Sequence, residues 1–115
     1  MKKTAQICVL SLLTFFMAGS SASAQDGERL YLYKFCTTCH GQNGISVAPN
    51  YPNLAKQNER YLVNQMKDII AKKRSTKLTL LMTEHPVVTS ISDEEIAAIA
   101  AYINKITLGV SHQSK

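Results

Sequence analysis

The chain has 115 residues, enough for one domain, and its 13 lysines and arginines against 8 acidic residues give a formal net charge of +5. This balance is too modest for nucleic-acid binding, which usually requires a strongly basic face. Beyond the N-terminal segment, no apolar stretch is long enough to span a membrane.

The N-terminal segment has the three parts of a secretory signal peptide. Two lysines supply its basic start, residues 7–18 form a mostly apolar run, and Ala22-Ser23-Ala24 matches a small-residue cleavage site. We therefore predict that residues 1–24 are a signal peptide removed on export to the periplasm. Residues 25–115 would remain as one domain, and an uncleaved N-terminal anchor is the alternative.

The first helix of that domain is predicted to begin near Asp26, a residue type that caps free N–H groups at a helix start. Leu30 and Tyr31 begin an approximately helical spacing of apolar residues. We expect this helix to run without interruption to Cys36 and to end where Gly41 follows the next motif.

That motif is Cys36-Thr37-Thr38-Cys39-His40, the attachment signature of c-type haem. Positions i, i+3 and i+4 of a helical turn lie on one face. The thiols of Cys36 and Cys39 can therefore reach the two vinyl groups of one porphyrin, while His40 presents its imidazole to the iron. The sequence thus predicts one covalently bound haem c with His40 as an iron ligand.

Three other interpretations of the motif are weaker. A thioredoxin-like redox motif needs a βαβ context, which the surrounding sequence does not suggest. A zinc site needs about four nitrogen or sulfur ligands, and only His85 and His112 follow the motif. A disulfide between Cys36 and Cys39 would have little room for unstrained geometry.

Residues 41–55 have no convincing period and contain two glycines and two prolines, which predicts an irregular loop. Pro52 stands out because its carbonyl could accept the proton on Nδ1 of His40. Such a bond fixes the tautomer and orientation of a ligating imidazole. An ordinary turn proline is an equally good interpretation of Pro52.

An amphipathic helix is predicted from Asn58, because one apolar stripe recurs at helical spacing: Tyr61, Leu62, Met66, Ile69 and Ile70. Burial in this stripe explains Met66 without any role at an iron. A basic cluster follows, comprising Lys72, Lys73, Arg74 and Lys77. Its simpler interpretation is a solvated helix end, where cations suit the helix dipole. The alternative is a docking patch for an acidic redox partner.

Residues 75–91 are mixed, with a predicted turn over Thr83–Pro86 and a short extended piece at Val87 and Val88. Met82 and His85 in this segment are the two candidates for a second axial iron ligand. Imidazole is a good iron ligand, but Pro86 and an adjacent glutamate suggest that His85 lies at an exposed corner. Met82 instead follows two leucines, as suits a residue facing an apolar pocket.

The last helix has the clearest signals in the chain. Ser92 is a predicted N-cap, and Glu95 three residues later completes a capping box. The buried stripe of this helix is Ile96, Ile99, Ala100, Ile103 and Ile106, and Gly109 is its predicted end. His112 lies in a polar tail and is interpreted as solvent-exposed.

In this order the motifs resemble those of the small bacterial class I cytochromes c. They stand here as Gly27-x-x-Leu30-Tyr31, Cys36-x-x-Cys39-His40-Gly41, Pro52-x-Leu54-Ala55-x-Gln57, Tyr61-Leu62 and the run Ser92–Ile103. The resemblance implies an all-α fold whose helices wrap around one covalently bound haem. The first and last helices would cross near the cofactor.

The resemblance also implies iron ligands on opposite sides of the haem, a histidine and a methionine. Family members commonly place that methionine some ten residues before the cap of the last helix, which matches Met82, with His85 as the alternative. The family's P-x-L proline, which bonds the histidine, matches Pro52. Lys56 departs from the pattern, because the family often has glycine there.

We therefore expect a soluble periplasmic electron-transfer protein that exchanges single electrons with redox partner proteins. No nucleophile–base pair or carboxylate pair suggests an enzyme of its own. A haem-bearing electron-transfer subunit of an oxidoreductase complex is the first alternative, and a gas-binding or sensor haem protein is the second.

Overall fold

The structure is a computed structural model, and it describes residues 24–106. This part of the chain contains six helices and no strand: α1 (Ala24–Tyr33), α2 (Cys36–His40), α3 (Glu59–Ile70), α4 (Lys77–Thr83), α5 (Pro86–Thr89) and α6 (Asp93–Lys105). The prediction of an all-α fold is therefore confirmed. None of these described helices is long and apolar enough to cross a membrane. The predicted signal peptide falls almost wholly outside the described residues and stays a prediction.

Helices α1 and α6 form the main packing contact of the domain, and α3 packs on α6 beside it. Tyr31 of α1 is 1% exposed and lies among buried isoleucines that include Ile96 and Ile103 of α6. A Cβ at Gly27 would collide with the carbonyl oxygen of Ala98. Glycine at this position therefore lets the two helix backbones approach closely.

The start of α6 has the predicted capping box. The Ser92 hydroxyl accepts a hydrogen bond from Glu95 N at 3.2 Å, and the Glu95 carboxylate accepts one from Ser92 N at 3.0 Å. The helix ends at Lys105, because Ile106 already has an extended backbone. The end predicted at Gly109 is thus too late, and Gly109 and His112 themselves lie outside the described residues.

The prediction of one unbroken helix up to Cys36 is wrong. Helix α1 ends at Tyr33, and Phe35 has left-handed backbone angles of φ 62° and ψ 19° before α2 begins. A left-handed residue interrupts the i to i−4 hydrogen-bond ladder. Phenylalanine gives no signal for such a break, because bulky L-residues rarely adopt positive φ.

Residues 75–91 are more helical than their mixed pattern suggested, and the extended piece predicted at Val87 and Val88 is wrong. Thr76 caps α4 by accepting a hydrogen bond from Thr79 N. Pro86 occupies the first turn of α5, where its fixed φ suits a helix start. Helices of seven and four residues are too short to show a helical period in the sequence.

Helix α3 begins where predicted, with the Asn58 side chain accepting a hydrogen bond from Tyr61 N at 3.1 Å. Leu62, Met66 and Ile70 are partly buried against the core. The ring of Tyr61 departs from this pattern, because it is 50% exposed.

Candidate haem site

The Cys-x-x-Cys-His motif occupies the five-residue helix α2. This single turn presents Cys36, Cys39 and His40 on one face. The two cysteines are free thiols. Burial raises the pKa of the Cys36 thiol to about 11, so it is protonated at neutral pH when the side chain is unmodified.

The imidazole of His40 is fixed from behind by the loop that follows α2. His40 is 9% exposed, and its Nδ1 lies 3.0 Å from the carbonyl oxygen of Pro52. When Nδ1 carries the proton and donates it to this carbonyl, Nε2 keeps its lone pair. That arrangement orients a neutral imidazole for binding a metal ion through Nε2.

The same loop is fastened to α2 through backbone groups. Val47 N donates to Cys39 O at 3.2 Å, and Leu54 N donates to Gly44 O at 2.7 Å. Gly41, which follows His40, has a φ of 74°, and a Cβ there would collide with the carbonyl oxygen of Ile45. The loop was correctly predicted to be irregular, and these bonds hold it against the motif.

Tyr31 contributes to this side of the site in a way that the sequence did not reveal. Its buried hydroxyl donates to the carbonyl of Gly41 at 2.8 Å. Burial raises the pKa of this phenol well above its ordinary value, so the proton needed for donation is retained. The available signal was a tyrosine within an apolar helical stripe, since a buried tyrosine hydroxyl usually has a hydrogen-bond partner.

A cavity of about 780 Å³ lies against α2 and is lined by residues of every helix from α1 to α6. Cys36, Cys39 and His40 line it together with Met82 and His85, so the structure brings all five residues to one cavity. Its size lies within the range of about 300–1,000 Å³ that is usual for sites of small molecules and cofactors.

The other residues that line the cavity are largely apolar, and several of their side chains are exposed to solvent. Phe35, Leu78 and Leu81 border the cavity although 55%, 42% and 52% of their surfaces are exposed, and half-exposed Tyr61 borders it as well. A large flat apolar group in this space would cover these side chains. The imidazole and the thioether are ligands that suit haem iron, and the two thiols can form thioether bonds to the vinyl groups of a haem. The residues present therefore fit a haem attached at α2.

The two candidates for a second iron ligand differ in their surroundings. Met82 lies near the end of α4 and is partly buried. His85 is exposed, lies between α4 and α5, and has its ring centroid 5.3 Å from that of Phe35. Met66 also borders the cavity, but it packs against the core of the domain.

The predicted basic cluster divides into two kinds of residue. Lys72, Lys73 and Lys77 are exposed and do not line the cavity. Arg74 does line it, and its guanidinium donates to Oε1 of Gln65 at 2.7 Å. The basic cluster therefore adjoins the rim of the cavity through Arg74.

The family of the chain follows from comparison with known proteins. The model of the cytochrome c family matches residues 24–107. Cytochrome c4 of Pseudomonas aeruginosa is 39% identical over 109 residues, which are 92% of this chain and 52% of that protein. Cytochrome c4 of Azotobacter vinelandii is 38% identical over 102 residues, which are 82% of this chain and 45% of that protein.

A shorter relative matches over nearly its whole length. Cytochrome c-554(548) of Halomonas halodenitrificans is 39% identical over 85 residues, which are 74% of this chain and 94% of that protein. The chain thus spans about half the length of the cytochrome c4 relatives it matches. These matches confirm the resemblance drawn from the motifs, and the helical structure agrees with the class I fold. The chain therefore belongs to the cytochrome c family.

Proposed function

We propose that the protein is a periplasmic carrier of single electrons that holds one haem c through Cys36 and Cys39. The observation that carries this proposal is the meeting of both thiols and His40 at one cavity that Met82 also lines. One pair of thiols with one buried imidazole serves one porphyrin. Export to the periplasm is inferred from the signal-peptide pattern of residues 1–24.

Each residue at the cavity has a separate task in this proposal. His40 would hold the haem iron through Nε2, with its Nδ1 proton donated to the Pro52 carbonyl. Met82 would supply the second ligand, and a histidine–methionine pair would raise the reduction potential. The bound haem supplies the one-electron change between ferrous and ferric iron. The apolar lining excludes water from it, which limits reorganisation when the charge changes.

Met82 is proposed over His85 on grounds of burial and position. Met82 is partly buried in a helix beside the cavity, whereas His85 is exposed and has its ring against Phe35. The backbone of His85 is extended because a proline follows it. Its imidazole contacts the ring of Phe35 at the cavity rim.

The redox partners are proposed to have acidic surfaces that meet Lys72, Lys73, Arg74 and Lys77. The three lysines are exposed, and Arg74 adjoins the cavity, so a partner there would lie close to the cofactor. Opposite charges at such a rim mainly speed association.

The proposal is tested on the protein produced with a haem-attachment system and isolated from the periplasmic fraction. After acid denaturation and extraction with organic solvent, the colour should stay on the polypeptide, and the mass should correspond to one haem per chain. Cys36→Ser with Cys39→Ser is the control that should lose the colour. Haem that extracts from the wild type, or a mass without haem, would contradict the proposal.

A permanent subunit of an oxidoreductase complex is the second candidate, favoured by apolar side chains that lie away from the cavity. Leu32, Tyr33 and Val47 are 55%, 68% and 65% exposed and do not line it. A stable partner would cover such residues. Copurification with a larger protein at constant stoichiometry would support the subunit. A monomeric haem protein that exchanges electrons in solution would support the carrier.

A further inference from the structure

Phe35 combines two unfavourable features at the edge of the haem site. Its backbone is left-handed, with φ 62°, and its ring is 55% exposed. L-residues with a bulky side chain avoid this conformation. An exposed aromatic ring also lacks the stabilisation that burial of its apolar surface would give. Residues held this way persist only where their surroundings demand it, often at functional sites.

The Phe35 ring contacts His85, and this contact would explain why the strained backbone at Phe35 is retained. Its centroid lies 5.3 Å from that of His85, with the two planes inclined at 40°. This distance is within the range of favourable aromatic pairs. Phe35 directly precedes α2, whereas His85 directly precedes α5, and both border the cavity. The contact therefore joins the side of the cavity that bears Cys36 and Cys39 to the side that bears Met82.

The Met82 side is otherwise fastened mainly at its two ends. At one end the Thr79 hydroxyl donates to backbone carbonyls at Arg74 and Thr76, and at the other Val88 and Ile91 are buried. Between these ends the chain is largely open: Leu80, Leu81, Glu84 and His85 are all exposed. Segments with few buried contacts open locally at a small cost in free energy.

We propose that Phe35 and His85 form an aromatic clasp that keeps the end of α4, and with it Met82, against the cavity. His85 is then a positioning residue for the distal iron ligand and is not itself a ligand. The left-handed turn at Phe35 places its ring at this contact. The clasp rests on the proposed function, because it requires Met82 as the distal ligand.

The clasp has a measurable consequence for external ligands. Imidazole in solution can bind the ferric iron only when the Met82 side has opened. Its apparent affinity is therefore proportional to the open fraction of the protein. Losing an aromatic pair should raise that fraction roughly two- to tenfold, the range that corresponds to the usual strength of such pairs.

The experiment titrates ferric holoprotein with imidazole and follows the loss of the sulfur-to-iron charge-transfer band. Phe35→Gly removes the ring but tolerates positive φ, so the left-handed turn can persist while the contact with His85 is lost. His85→Ala removes the other ring, and His85→Phe keeps a ring without a ligating nitrogen. Leu32→Ala is the control, because Leu32 is also 55% exposed but does not border the cavity.

We expect Phe35→Gly and His85→Ala each to bind imidazole about two- to tenfold more tightly than the wild type. The double variant should gain no more than either single variant, because the two rings act through one contact. His85→Phe and Leu32→Ala should match the wild type. Should Phe35→Gly fail to fold, the pair His85→Ala and His85→Phe decides alone.

Two contrary outcomes are distinguishable. In the first, the wild type shows the charge-transfer band, but His85→Ala binds imidazole no more tightly than the wild type does. This result would overturn the clasp and leave the carrier function intact. A wild type without the band, or loss of the distal ligand in His85→Phe, would overturn the assignment of Met82 and the clasp with it.

Discussion

The two sides of the haem cavity are built by different means. On the α2 side, the imidazole of His40 is buried and lies at hydrogen-bond distance from the carbonyl of Pro52. The hydroxyl of Tyr31 donates a hydrogen bond to the carbonyl of Gly41, the residue after His40. On the α4 side, Met82 is partly buried and its neighbours Leu80 and Leu81 are exposed. The first side is preorganised by hydrogen bonds, whereas the second presents apolar surface, of which Leu81 and Met82 line the cavity.

This difference suits the chemistry expected of each side. A histidine ligand must keep one tautomer and one orientation, and fixed backbone acceptors provide both. A thioether has no proton to place and only a weak acceptor to offer, so apolar packing is enough to hold it. Removing a supporting hydrogen bond on the α2 side should therefore change stability, whereas removing Met82 on the α4 side should change ligation.

The largest effect is expected from Met82→Ala, which removes the proposed distal ligand. The sulfur-to-iron band of the ferric protein should vanish, and the reduction potential should fall by on the order of 0.1 V or more, within the range of about 0.8 V that axial ligands control. Visible spectra and a redox titration measure both changes. The band and the potential should persist in His85→Ala. If His85→Ala instead lost the band while Met82→Ala kept it, the two sides would have been assigned wrongly.

Tyr31→Phe sharpens the comparison from the α2 side. The substitution removes the Tyr31 donor, while the Gly41 carbonyl keeps the weaker hydrogen bond from Gly44 N at 3.3 Å. The free energy of unfolding should therefore fall by roughly 0.5–1.5 kcal/mol, the net value of one hydrogen bond. Denaturant unfolding of the holoprotein measures this change. The sulfur-to-iron band should be unaffected.

Tyr102→Phe is the matched control for Tyr31→Phe, because the ring of Tyr102 lies 5.6 Å from that of Tyr31 but its hydroxyl makes no hydrogen bond that the structure records among the described residues. An equal loss of stability in both variants would show that ring packing, and not the bond to Gly41, holds this side.

The α2 side was also the side that the sequence predicted better. The spacing of Cys36, Cys39 and His40 fixed their common face, and glycines and prolines marked the loop as irregular. The structure has His40 at hydrogen-bond distance from the carbonyl of Pro52, and the role of that pair at the iron stays a prediction. Local rules suffice for these features, because each depends on residues close in sequence. They did not predict the hydrogen bond from Tyr31 to the carbonyl of Gly41.

The α4 side escaped prediction for physical reasons. Helices α4 and α5 are too short to show a period, and several of their apolar residues line the cavity instead of packing in the protein core: Leu78, Leu81 and Met82. On the α2 side, the left-handed turn at Phe35 was also missed, because neither glycine nor asparagine stands at that position. Its contact with His85 joins residues fifty apart in the chain, so only the folded structure could reveal it.

Beyond the cavity, the α4 side is proposed to carry the docking patch. Replacing Lys72, Lys73 and Lys77 together by glutamine should slow electron transfer to an acidic partner several-fold at low salt. The difference from the wild type should shrink as ionic strength rises, because salt screens exposed charges. Stopped-flow kinetics across a salt series measures it. Replacing Arg29, Lys56 and Lys105 together by glutamine is the charge-matched control. Equal slowing in both variants would show that net charge, and not the patch, controls the rate.

The smallest effect is expected at Glu95, which joins the start of α6 to α1. Its carboxylate accepts from Ser92 N and forms a 2.9 Å ion pair with Lys34, which borders the cavity. The Ser92 N–H and then the Lys34 ammonium lower the pKa of this carboxyl below its ordinary value. Because both partners favour the charged form, Glu95→Gln should lower the free energy of unfolding by about 0.5–1 kcal/mol at neutral pH, a small value since the group is partly solvated.

The sign of the pH dependence follows from the lowered pKa. The carboxylate stabilises the fold above the pKa that Glu95 has in the unfolded chain, and this contribution is lost as the pH falls through the lower pKa of the folded state. The wild type should therefore lose its advantage over Glu95→Gln in acid, as thermal unfolding at a series of pH values would show. Glu94→Gln, in the same first turn of α6, removes an equal charge near the helix dipole without the two bonds. A Glu95→Gln effect no larger than that of Glu94→Gln would assign the stabilisation to the dipole alone and remove the link between α6 and α1.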